Sequence, residues 1–175
     1  MRLIIAITGA SGAHLGSKIL NLLPENITPY LIVSDNAKEV LKHETNHLYD
    51  DRDISAPIAS GSFPSDAMII APCSMNTLAK ISCGIADNLV TRTASVMIKE
   101  QRPLLLAPRE MPFSAIALEN MLKLSRLGII IAPPILGYYS EQKSLDEMED
   151  FIIGKWFDLL KIEHNLYKRW KIEEA

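Results

Sequence analysis

Cysteine is scarce in this chain. Cys73 and Cys83 are the only two, too few for the disulfide framework of a small secreted domain, and both are expected as reduced, structural thiols of a cytoplasmic protein. Long apolar runs are missing as well. No stretch approaches the roughly 18 apolar residues of a membrane span. The apolar start at 3–7 leads within a few residues into a glycine turn, which is short of the core of a signal peptide, about 7 to 15 residues. Nor is there an excess of positive charge: 18 Lys+Arg against 21 Asp+Glu leave a net charge of −3. That excludes a nucleic-acid binder relying on bulk charge and leaves any anionic ligand to local basic groups. The sequence has no internal repeat and no low-complexity linker. What is present is 175 residues, 48% hydrophobic and 22% charged, an ordinary globular composition. A single domain over 1–175 is expected, able to bury about two thirds of the surface its unfolded chain exposes.

Four short apolar runs bounded by turn residues, 3–8, 30–34, 67–71 and 104–107, read as buried parallel strands, with a fifth at 129–132. Helical spacing fills the intervals at 13–23, 36–46, 75–83, 87–99 and 114–127. This alternation predicts an α/β fold: a Rossmann-like (flavodoxin-like) doubly wound parallel sheet with helices on both faces. A last helix is expected from Ser144, which has capping-box spacing with Glu147, and Leu145, Met148, Ile152, Trp156 and Leu159 form one apolar stripe along it.

Thr8, Gly9, Ala10, Ser11 and Gly12 sit where the first strand hands over to the first helix. Ligands of doubly wound sheets bind at the carboxyl ends of the strands, where a helix amino terminus offers N–H groups to an anion. Gly9 and Gly12 permit close approach and Ser11 adds a hydroxyl, so the turn suits a nucleotide or phosphate. Its spacing is neither G-x-G-x-x-G nor a P-loop. Tyr139 and Lys143 show the Tyr-x-x-x-Lys spacing of short-chain dehydrogenases, but they follow Pro133, Pro134 and Gly137 rather than lying on a helix. His43, Glu44 and His47 match H-E-x-x-H, a zinc motif when both histidines share a helical face. Here the motif closes a βα unit of a nucleotide-like sheet, and no metal is expected. The two histidines are read as exposed at a helix end.

The run Ala71, Pro72, Cys73, Ser74, Met75, Asn76, Thr77 is the most informative. A buried strand ends there, and Ser74, Asn76 and Thr77 bring hydrogen-bonding groups to a helix start beside the glycine turn, able to hold an isoalloxazine edge or a phosphate. Further motifs follow in order: Ala56 Pro57 Ile58 Ala59 Ser60 Gly61 Ser62, Gly84 Ile85 Ala86 Asp87 Asn88 Leu89, Arg92, Pro108 Arg109 Glu110, and Leu118 Glu119 Asn120 Met121 Leu122. Together with the first turn they make nearly the whole chain resemble the UbiX flavin prenyltransferases. One departure lies at about 46–54, where many relatives are longer.

The resemblance implies transfer of a dimethylallyl group from dimethylallyl monophosphate to N5 and C6 of reduced FMN, without a metal. It also implies a dodecamer with active sites between subunits and delivery of the product to a UbiD-type decarboxylase. Residue by residue it implies FMN contacts from Gly9, Ala10, Ser11, Ser34, Ser74, Met75, Asn76, Thr77 and Arg109. Donor contacts would come from Arg92, Lys99, Arg109, Tyr139, Lys155 and Trp170. Ser11, Glu44 and Glu110 are the candidate proton carriers, and Lys99 is a catalytic cation for the leaving phosphate. Lys155 stands where many relatives have arginine, keeping the charge without the bidentate fork. Two other readings are an FMN-dependent cysteine decarboxylase of the phosphopantothenoylcysteine type and a non-catalytic flavin carrier.

Overall fold

Apolar runs that do not alternate with polar residues need cover on both faces, and a parallel sheet between helix layers supplies it. The computed structural model describes residues 1–34, 47–140 and 142–169, in two compact units, Met1–Pro133 and Pro134–Ala175. The first unit holds six strands: β1 (Arg2–Ile7), β2 (Thr28–Val33), β3 (Leu48–Asp50), β4 (Ala67–Cys73), β5 (Leu104–Pro108) and β6 (Ile130–Ile131). All pair in parallel, in the order β3-β2-β1-β4-β5-β6. The described helices of this unit are α1 (Ala13–Leu22), α2 (Met75–Ser82), α3 (Leu89–Lys99) and α4 (Ala115–Arg126). The expected helix 36–46 lies outside the described residues.

One face of the sheet presents Ile4, Ile32, Met68, Ile70 and Leu106 to a core completed by Leu78, Leu89, Met97, Met121 and Leu124. Each such side chain contributes about 1.5–3 kcal/mol on burial. On the other face α1 lies so close that a Cβ on Gly16 would stand 2.4 Å from Ile7 Cδ1 and 3.0 Å from the Ala71 carbonyl oxygen.

Most strand ends shift by one or two residues from the sequence reading, and three differences have a clear local cause. β3 was not expected, because three residues are too short to show a period. β4 runs on through Pro72 to Cys73 instead of ending at Ala71. α3 starts at Leu89 rather than 87, since Asn88 and Thr91 form a reciprocal capping box.

In the second unit α5 (Leu145–Leu159) begins after Ser144, whose Oγ accepts from the Glu147 N–H at 3.2 Å. The Glu147 carboxylate reaches back one residue further than a capping box, to the Lys143 N–H at 2.6 Å. The predicted stripe is only partly buried. Ile152 and Trp156 are inside with Phe151, Ile153 and Phe157, whereas Leu145 is 69% and Leu159 45% exposed.

Candidate functional site

The sheet order makes β1 and β4 neighbours whose following connections go to opposite sides, which opens a crevice beyond their carboxyl ends. Thr8, 4% exposed, ties the two ends together. Its Oγ1 donates to the Pro72 carbonyl at 2.8 Å and accepts from the Ser74 N–H at 2.8 Å. Gly12 then takes φ 98°, a left-handed conformation that favours glycine, and starts α1 without a side-chain cap or an acidic residue in the first turn. The positive end of α1 is therefore not compensated from its own first turn, and Gly9, Ala10 and Ser11 lead directly into it.

Across the crevice Ser74 caps α2. Its Oγ accepts from the Thr77 N–H at 3.2 Å and lies 2.9 Å from Thr77 Oγ1, so the two hydroxyls order the turn, while Asn76 is exposed and Met75 packs against the core. Arg109 follows β5, with its N–H on the Cys73 carbonyl at 3.3 Å and its side chain exposed. The neighbouring Glu110 carboxylate accepts from the Met111 N–H at 3.1 Å. Ser34 follows β2 with its N–H on the Ile7 carbonyl, and its buried Oγ has no hydrogen-bond partner among the described residues. The orphaned hydroxyl follows β2, the uncapped α1 follows β1 and the exposed Arg109 follows β5, so donors and a cation lie at the carboxyl end of the sheet, a chemistry that suits a phosphorylated flavin. Cys73 is no nucleophile there, because burial pushes its thiol up to about 12. Cys83, by contrast, is exposed at the end of α2.

Lys99 is not in this group. It ends α3 at the amino edge of the sheet, its Nζ 2.7 Å from Glu100 Oε1, both packed over the bare Cα of Gly61. Arg102 fixes that loop through the carbonyls of Gly61 (2.8 Å) and Phe63 (2.7 Å) and through Ser65 Oγ (3.0 Å). Lys99 also lines a cavity of about 360 Å³ with Cys83, Ser95, Ile98, Lys123 and Leu127. Arg92 Nε donates to the Ala59 carbonyl at 3.3 Å. Lys99 precedes β5 and Arg109 follows it, and the five residues of that strand span about 16 Å at 3.3 Å per residue.

Tyr139 and Lys155 belong to the second unit. Tyr139 meets Phe151 edge-on at 5.8 Å, and Lys155 Nζ lies 3.9 Å from Asp158. Glu44 and Trp170 lie outside the described residues. So does most of the zinc-like motif. His47, which is described, leads into β3 and stacks on Tyr30 at 4.5 Å. No cluster of three metal-ligating side chains occurs among the described residues. Among the same residues no helix is long and apolar enough to cross a membrane.

The flavoprotein family model matches residues 1–156. The flavin prenyltransferase UbiX of Helicobacter pylori is 47% identical, over 97% of this chain and 98% of that one. The chain belongs to the UbiX flavin prenyltransferase family. Two solved UbiX-type structures superpose on it with a TM-score of 0.92. The dodecameric FMN-dependent UbiX-like decarboxylase of Escherichia coli O157:H7 is 40% identical and covers 98% of this chain and 100% of its own. AnUbiX, in complex with FMN and dimethylallyl pyrophosphate, is 39% identical and covers 99% and 98%.

In this chain two residues outside the expected set shape the site region. Thr8 joins the two turns of the crevice, and Arg102 orders the loop beneath Lys99. Thr8 was visible as part of the glycine run, but its bond to the Pro72 carbonyl depends on a contact 64 residues away. Arg102 follows Lys99, Glu100 and Gln101 in a polar run that reads as a solvated helix end.

Proposed function

We propose that this chain transfers a dimethylallyl group from dimethylallyl monophosphate to reduced FMN, in sites built between copies of a dodecamer, and passes the product to a UbiD-type decarboxylase. The observation that carries the shared site is the separation of Lys99 and Arg109 by the length of β5. Cations at the amino and carboxyl ends of the sheet favour a site in which one copy supplies Lys99 and another supplies Arg109. The dodecameric E. coli relative and the donor-bound AnUbiX support this reading.

Reduced FMN, when bound, supplies the electron-rich ring that accepts the allylic carbon at N5 and closes at C6 with loss of a proton. Gly9, Ala10 and Ser11 at the α1 terminus, with Ser34, Ser74, Met75, Asn76, Thr77 and Arg109, hold the flavin along the crevice. As the allylic C–O bond breaks, negative charge gathers on the departing phosphate. Lys99 and Arg109, joined by Arg92, Tyr139 and Lys155, stabilise that charge from fixed positions, a role a divalent cation fills elsewhere. Tyr139 and Trp170 offer aromatic faces to the cationic allyl group. Ser11, Glu44 and Glu110 are the proposed carriers for the ring proton.

Anaerobic incubation with reduced FMN and dimethylallyl monophosphate, followed by mass spectrometry of the flavin, tests this. The flavin should gain the five-carbon unit. An unaltered flavin that stays bound to the protein would instead indicate a carrier.

A further inference from the structure

Asp158 lies in the last turn of α5, three residues after Lys155, and the chain beyond the helix folds back onto it. Its Oδ1 accepts from Arg169 Nη2 at 2.7 Å and from His164 Nε2 at 3.1 Å. Its Oδ2 accepts from Arg169 Nη1 at 3.2 Å and from the Tyr167 hydroxyl. The His164 ring, 3% exposed, is held in one tautomer: Nδ1 accepts from the Leu166 N–H at 3.1 Å, so the proton is on Nε2, facing Asp158. The fold-back needs Gly154, where a Cβ would stand 2.6 Å from Tyr167 Cδ1 and 2.8 Å from His164 Cε1.

Four donors thus use most of the lone pairs of one carboxylate. Lys155, on the same helix at i, i+3, is left at 3.9 Å, outside good hydrogen-bond range, with its side chain 48% exposed. Lysine and aspartate at this spacing on a helix are neighbours that can pair directly, and here the two stay within ion-pair distance without a hydrogen bond. An ammonium neutralised by its own helix is a poorer phosphate ligand.

We propose that His164, Tyr167 and Arg169 are positioning residues for donor binding: by saturating Asp158 they keep its carboxylate from capturing Lys155. The inference rests on the reading of Lys155 as a ligand of the donor phosphate. The tail acts through charge, so its loss is reversible at Asp158.

The test is steady-state prenyl transfer by the full chain, with dimethylallyl monophosphate varied at saturating reduced FMN. Arg169→Ala raises the donor KM about two- to fivefold, the range of an exposed ion pair, with kcat and FMN affinity little changed. Tyr167→Phe, which removes one donor and keeps the ring, shifts KM the same way by less. Adding Asp158→Asn to Arg169→Ala brings KM back toward wild type. A double variant as impaired as Arg169→Ala, or more so, overturns the proposal, because a purely structural tail gives no rescue. FMN titration and thermal melts identify any variant that has lost its fold. Lys155→Ala separates the two layers. If it leaves the donor KM unchanged, the assignment of Lys155 to the donor fails and the proposal with it. If it raises KM while Arg169→Ala does not, only the proposal fails.

Discussion

Replacing Thr8 by valine keeps the shape of the side chain and removes one oxygen that serves two partners. That hydroxyl donates to the Pro72 carbonyl and accepts from the Ser74 N–H, both at 2.8 Å, in a residue 4% exposed. Two hydrogen bonds contribute about 1 kcal/mol each, and a stranded Ser74 N–H adds a desolvation cost, so the loss should be about 2–3 kcal/mol. Total stabilities of about 5–15 kcal/mol leave such a variant folded. Urea unfolding at fixed protein concentration should show a lower midpoint at an unchanged slope. The same bonds hold the glycine turn against the start of α2, so FMN should also bind about tenfold more weakly if about 1.4 kcal/mol of the loss falls on that arrangement. Thr8→Ser retains the hydroxyl and should behave much more like wild type. A Thr8→Val protein within about 0.5 kcal/mol of wild type, with unaltered FMN affinity, would refute the claim that this side chain joins the halves of the crevice.

Three further outcomes follow from the geometry. Lys99→Ala and Arg109→Ala proteins should each be inactive, yet co-assembled oligomers should regain activity in about a quarter of their sites at random equal mixing; no recovery would mean that one protomer supplies both cations. Gly16→Ala should destabilise, because overpacking against Ile7 and the Ala71 carbonyl costs about 1–3 kcal/mol and outweighs a helix-propensity gain of about 1 kcal/mol; a raised melting temperature would show that α1 has room to move. Partial burial tends to raise the Asp158 carboxyl, but hydrogen bonds from Arg169, Tyr167 and His164 prevail and hold it at about 2, below its ordinary 3.8. Its contribution is therefore present above about pH 4 and lost as pH falls toward 2. Asp158→Asn should flatten the acid limb of a stability–pH curve in that window, and an unchanged limb would assign it to other groups.

The parts of this protein that were legible in the sequence share a short physical range. Leu3, Ile4 and Ile5 announce a strand covered on both faces. Ser114 and Ser144 each cap the helix that follows through a contact three residues on. Where the decisive partner is distant, the sequence misleads. β3 exists because Leu48, Tyr49 and Asp50 find a register beside β2, not because three residues have a pattern. Leu145 and Leu159 fit the helical period of α5 yet stay exposed, since period alone cannot say how wide the covered face will be.

For the candidate site the division is similar. Glycine at 9 and 12, the Ser74 to Thr77 run and the basic residues Lys99, Arg109 and Lys155 are chemistry written locally, and their order along the chain was enough to indicate the family. Which of them meet is a property of the sheet. Strand order brings the turns after β1 and β4 to one crevice and leaves Lys99 at the other end of β5. The fold-back at Asp158 sets Lys155 among charges that lie up to 14 residues further along the chain. The sequence by itself determined five of the six strands, most of the described helix starts and the set of reactive groups, because propensity and capping act over a few residues. Only the tertiary structure decided which groups share a site, because parallel pairing and helix packing join residues that are remote along the chain.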